Sequence, residues 1–101
     1  LSSRIESGDA KVLRDLADKL RDKIQSGVIA LGGEKDGKVL LLVAATADVV
    51  KKGFHAGNLV KELAKDVGGS GGGKPDMAQA GGTDPSKLEA ALERVYEIVA
   101  G

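Results

Sequence analysis

Seven of the chain's fifteen glycines fall between Gly68 and Gly82, within fifteen residues. No other feature restricts the fold as strongly. A run of that density removes Cβ atoms and opens φ > 0 conformations, so that a second backbone, or a phosphate, can come close. Lys74, Asp76 and Gln79 stand inside it. The segment reads either as a binding surface or as a tight packing crossover, and the residues alone weigh the two equally.

The rest of the composition narrows the setting. A chain of 101 residues suits one small domain, 1–101, burying roughly two-thirds of its unfolded surface. With one Tyr, one Phe and no Trp, the core has to be aliphatic, and recognition of bases on aromatic platforms is disfavoured. Fifteen basic and fifteen acidic residues cancel. That excludes a whole-molecule electrostatic grip on nucleic acid and leaves room for a local basic patch. The lack of Cys removes disulfides, thiolate nucleophiles and thiolate metal sites, and fits a reducing compartment. Without a signal peptide or a membrane-length apolar run, the expected location is cytoplasmic. Leu1 in place of an initiator Met reads as the cut end of a longer chain, with N-terminal processing as the alternative.

After an unassigned lead-in from Leu1 to Gly8, Asp9 caps a predicted helix to about Ser26. Its stripe is Val12, Leu13, Leu16, Leu20 and Ile24, and Gly27 is its C′ glycine. The opposite face, with Arg14, Asp15, Asp18, Lys19 and Arg21 among its charges, reads as solvated surface. Val28 to Lys35 and Lys38 to Ala45 form a hairpin around Asp36-Gly37. The second strand's unbroken apolar run predicts a central position, covered on both faces. Thr46 opens a short helix to Lys52, Gly53 interrupts, and a second helix buries Leu59, Val60, Leu63, Ala64 and Val67 before Gly68-Gly69. Met77 to Gly82 is a short strand, and Asp84-Pro85 opens a last helix with Leu88, Ala91, Leu92, Val95 and Val99 inward and Ile98 alongside. The predicted class is α/β (α+β), a small mixed sheet packed against helices.

Most catalytic chemistry fails on these residues. Lys74 is followed by Pro75, so a P-loop's metal-binding hydroxyl is missing, and a helix stands where a dinucleotide fingerprint needs a strand. His55 is the single histidine, and at a helix start it reads as a cap or a packed side chain rather than a ligand; Asp48 could pair with it in space, though nothing in the sequence requires that. Ser70 lies in no nucleophile elbow. What remains is basic: Lys51, Lys52, Lys61, Lys65 and Lys74 share one half of the chain. Lys61 and Lys65 lie on one helix face, balanced by Glu62 and Asp66, and read as solvated surface. Lys74 differs, because it sets a point charge beside glycine backbone N–H groups, a combination suited to phosphate or ribose.

The stretch Gly71-Gly72-Gly73-Lys74-Pro75-Asp76-Met77-Ala78-Gln79-Ala80-Gly81-Gly82, with His55-Ala56-Gly57-Asn58-Leu59-Val60-Lys61 before it, resembles the DHHA1 domain. Within that family it is similar to the C-terminal domains of alanyl-tRNA synthetases, and the resemblance runs from about Asp9 to the end. It implies a non-catalytic tRNA-binding appendage that contacts the elbow of an alanine-specific tRNA and helps aminoacylation and editing share it. Gly71, Gly72, Gly73, Lys74 and Gln79 become the implied RNA contacts. No metal site or cofactor is implied here; ATP, Mg and Zn belong to the rest of the parent ligase. Other domains of the synthetase are the implied partners, and an associated helical part can support a homodimer. The alternatives are a substrate-binding domain of a DHH-type phosphoesterase, or a dimerisation or structural module. Lys74 stands where those phosphoesterases commonly carry His, and the Asp-His-His motif is absent.

Overall fold

A computed structural model describes residues 2–5 and 9–100, with side chains over 9–95. Among the described residues five strands make one mixed sheet in the order β1-β2-β3-β5-β4. β1 (Ser2–Ile5) runs parallel to β2 (Val28–Lys35). β3 (Lys38–Ala45), β4 (Ser70–Gly73) and β5 (Met77–Gly82) complete it through antiparallel pairs. α1 (Ala10–Lys23) covers one face. α2 (Ala47–Lys51) is a short link, and α3 (Ala56–Asp66) and α4 (Leu88–Ala100) cover the other face. The expected mixed sheet against helices is the observed architecture.

β3 is the central strand, and its sequence explains why. Val39, Leu41, Val43 and Ala45 pack under α3 and α4, while Leu42 and Ala44 face Leu13 and Ala17 of α1. A strand covered on both sides can spare no polar alternation. The hairpin that delivers it turns at Asp36 and Gly37, whose φ angles of 53° and 77° are those of a primed turn.

α1 departs from the sequence reading in three ways. Asp9 does cap it, accepting a hydrogen bond from the Lys11 N–H at 2.8 Å. Val12, however, is 45% exposed, because it lies off the arc that meets the sheet, and small Ala17 takes the buried place. The helix stops at Lys23, since Ile24 is already extended, with ψ 144°. Gly27 is therefore not its C′ residue. It docks instead on Thr46, donating its N–H to the Thr46 hydroxyl at 3.1 Å and accepting from the Thr46 N–H at 3.1 Å.

The later elements follow the expected order with additions. His55 caps α3, its Nδ1 accepting from the Asn58 N–H at 3.2 Å, and all five residues of the predicted α3 stripe are buried. Asp84 accepts from the Ser86 N–H at 3.2 Å and opens a 3-10 turn, Pro85–Lys87, before α4 begins. Leu88, Ala91, Leu92 and Val95 are buried; Ile98 and Val99 lie outside the described side chains. Two strands are new: β1 in the unassigned lead-in and β4 inside the glycine segment.

Thr46 does not cap α2 with its side chain. Its hydroxyl donates to the Asp48 carboxylate, which also accepts from the Ser26 hydroxyl, so Asp48 ties the entry to β2 to the exit from β3. Those two hydrogen bonds, the Ser26 one foremost, hold the Asp48 carboxyl below its ordinary 3.8. A lowered native value stabilises the fold above the ordinary value and loses that contribution as pH falls through the lowered one. Asp48→Asn should accordingly lower the melting temperature at neutral pH, with the gap to the parent chain narrowing as pH falls below the ordinary carboxylate range. A gap that is constant across a pH series of thermal melts would contradict this. Leu41, 1% exposed, tests the core: Leu41→Ala should cost about 2–5 kcal/mol in denaturant unfolding.

Candidate functional site

The glycine segment becomes the sheet's outer strand, and its glycines divide by environment. A Cβ on Gly71 would lie 2.3 Å from the Ala80 Cβ and 2.5 Å from the Gln79 carbonyl oxygen. One on Gly73 would lie 2.8 Å from the Ala78 Cβ. β4 thus sits too close to β5 for any side chain at either position. α3 approaches just as closely, since a Cβ on Gly57 would stand 2.7 Å from the Gly73 carbonyl oxygen. Gly72 is different: a Cβ there would meet only the flexible end of Lys61, with its Cε at 3.0 Å. Packing explains Gly71 and Gly73 and leaves Gly72 unexplained.

The turn that follows is pinned by backbone. Lys74 N–H donates to the Met77 carbonyl at 3.0 Å, Ala56 N–H to the Pro75 carbonyl at 2.8 Å, and Ala45 N–H to the Asp76 carbonyl at 2.9 Å. Lys74 is exposed on a support that ties β4, β5, β3 and α3 together, and it has no ion-pair partner among the described residues. The backbone is fixed there, so a ligand has only the Lys74 side chain to order.

α1 rests on β2 and β3, so its flank and the strands beyond it enclose an open groove of about 510 Å³. From the sheet side the groove takes Gly72, Gly73, Lys74, Asp76 and Gln79, and from α1 it takes Arg14, Asp18 and Arg21. Gln79 faces this side because it pairs with Leu42, on the face of β3 that α1 covers. Four of the five residues named from the sequence therefore meet in one place, while Gly71 turns into the β4–β5 contact. Arg21 spans the groove's end, with Nη2 at 3.2 Å from Asp18, and Nη1 at 3.5 Å from the Asp76 carbonyl and 3.9 Å from its carboxylate. The sequence reading missed the α1 residues by assigning their face to solvent. Their i, i+4, i+7 spacing was the available signal.

Other sequence candidates stand elsewhere. Lys65 pairs with Glu62 at 3.3 Å, the solvated face expected of it, and such exposed pairs contribute about 0–1 kcal/mol. Asp66 pairs with Arg94 of α4 rather than with a lysine. Lys61 lies along Gly72 at the outer edge of β4. Among the described residues no hydrogen bond joins Asp48 to His55, since each is engaged as above. No group of three or more His, Asp or Glu among them could hold a metal, and no helix among them is long and apolar enough to cross a membrane.

Comparison with known proteins adds sequence and fold relatives. Residues 1–101 match the family model of the DHHA1 domain. The chain is 62% identical over 101 residues to an alanine–tRNA ligase of Myxococcus xanthus, covering all of this chain and 11% of that protein. It is 64% identical over 100 residues to the alanine–tRNA ligase of Anaeromyxobacter dehalogenans, covering 99% of this chain and 11% of that one. It spans about a ninth of the length of these relatives. Among solved structures, the C-Ala domain from Aquifex aeolicus alanyl-tRNA synthetase matches with TM-score 0.90 and 30% identity over 99% of this chain and 89% of that one. A DHH domain described as a member of a family of ribosomal proteins shares the fold, with TM-score 0.63 at 19% identity over 97% of this chain and 25% of that one.

Proposed function

Because the chain belongs to the DHHA1 domain family, we propose that it is the C-terminal domain of an alanyl-tRNA synthetase and serves as its tRNA-binding appendage. It contacts the elbow of the tRNA and keeps one tRNA available to aminoacylation and editing centres elsewhere in the enzyme. Ligation, with its ATP, Mg and Zn, belongs to those other domains, which are also its protein partners. The observation that carries this reading is the groove in which Gly72, Gly73, Lys74 and Gln79 meet Arg14 and Arg21.

The chemistry of that groove suits RNA shape better than RNA sequence. Its lining offers bare backbone, one amide side chain and separated cations, with no aromatic ring on which a base could stack. A tRNA elbow presents phosphates, 2′-hydroxyls and exposed edges, all within reach of such groups. Zero net charge implies modest affinity and a shallow salt dependence for the domain alone. Tethering to the rest of a synthetase turns a weak contact into a useful one by raising its effective concentration.

A phosphoesterase role has less support. Lys74 fills the position of the substrate-holding His of that branch, and the relation to the DHH-domain structure is one of fold. Dimerisation through an associated helical part is compatible with tRNA binding and would be additional to it.

Titration of the chain against intact alanine tRNA and against an acceptor-stem minihelix lacking the elbow tests the reading. Tighter binding of the intact tRNA is expected, with Lys74→Ala weakening it and leaving the melting temperature unchanged. Equal or absent binding of both RNAs would refute elbow recognition.

A further inference from the structure

The groove's charge is unevenly shared. Asp18 and Asp76, its two carboxylates, are both engaged by Arg21. Arg14, two helical turns before Arg21 on the same side of α1, has no ion-pair partner among the described residues, and the same holds for Lys74 across the groove. Three cations against two carboxylates leave the groove positive, although the chain as a whole is neutral. Both unpaired cations are exposed, so neither is held by burial or by a fixed partner.

Gly72, the glycine of the triplet that packing does not demand, lines the same groove, with the flexible end of Lys61 beside it, its Nζ 4.0 Å from where a Cβ would stand. A bare backbone that shares one groove with an Arg fork and a Lys point charge matches a phosphate group in charge and in hydrogen-bonding chemistry. The guanidinium can grip two phosphate oxygens at once, the ammonium supplies charge without a fixed direction, and the missing side chain lets the ligand come down onto the strand. A base would leave the two cations unmatched.

We propose that Arg14 and Lys74 together clamp one backbone phosphodiester of the bound RNA over Gly72, Arg14 being an RNA-contacting residue from outside the glycine segment. This rests on the tRNA-binding reading and deepens it by naming the moiety and the second hand that holds it. The contact positions RNA without reading its sequence. Arg21 supports the clamp indirectly, by neutralising the two carboxylates that would otherwise oppose an anion.

The test is tRNA binding by fluorescence anisotropy across a salt series, with melting temperature recorded for each variant. Arg14→Gln should reduce affinity about tenfold and flatten the log K against log salt slope by about 0.7–1, the signature of one lost phosphate contact. Arg14→Lys should restore the slope and part of the affinity. Arg14→Gln combined with Lys74→Gln should cost less than the product of the single effects, because both hold one group. Lys19→Gln, exposed on α1 outside the groove, should change neither quantity by more than a small fraction. If the parent chain binds tRNA and Arg14→Gln keeps both affinity and slope, the clamp is wrong while the tRNA reading stands. If the parent chain binds no tRNA, the reading beneath the clamp fails first and takes it along.

Discussion

The close approach of β4 to β5 governs this structure more than any other contact. The Cβ position of Gly71 falls within 2.3 Å of the Ala80 Cβ, and that of Gly73 within 2.8 Å of the Ala78 Cβ. These are distances no real pair of carbons adopts, so the strand exists only because both residues are glycine. The same economy lets α3 touch β4 backbone to backbone at Gly57, and lets the Ala56 N–H reach the Pro75 carbonyl at 2.8 Å. The Lys74 turn is thereby locked to the first turn of a helix whose opposite residues form the core.

The candidate surface follows from what the helices leave uncovered. α3 and α4 fill one face of the sheet, and α1 rests on β2 and β3 of the other. The remaining strip carries the turn, Gly72 and Gln79, and the flank of α1 makes its wall. A segment rich in glycine thus serves packing at Gly71 and Gly73 and lines the open groove at Gly72, the side on which the proposed RNA contact falls. The rigid turn and the small domain also fit an appendage that offers RNA a preformed shape rather than folding around it.

Much of this was legible in the residues. The continuous apolar run of β3 identified a strand covered on both faces, and Asp36-Gly37 identified its turn, because each signal has a single physical cause. The stripe of α3 was equally plain. β4 was not, since a strand of Ser and three Gly has no alternation to read. β1 was too short and too far in sequence from its partner β2 to announce a parallel pairing. Of the candidate site, the glycine segment supplied Gly72, Gly73, Lys74 and Gln79, but Arg14 and Arg21 stand some sixty residues earlier, on a face that mixes both charge signs. Only the packing of α1 across β3 brings them to the groove, and no local pattern encodes that.

The division of labour within the glycine triplet is the claim on which fold and site both depend, and it is open to one comparison. Denaturant unfolding of Gly71→Ala beside Gly72→Ala separates a packing glycine from a free one. Gly71→Ala should lose about 1–3 kcal/mol or more through overpacking against Ala80. Gly72→Ala should stay within about 0.5 kcal/mol of the parent chain, since the Lys61 side chain can move aside. Equal losses in the two variants, or a larger loss at Gly72, would contradict that division.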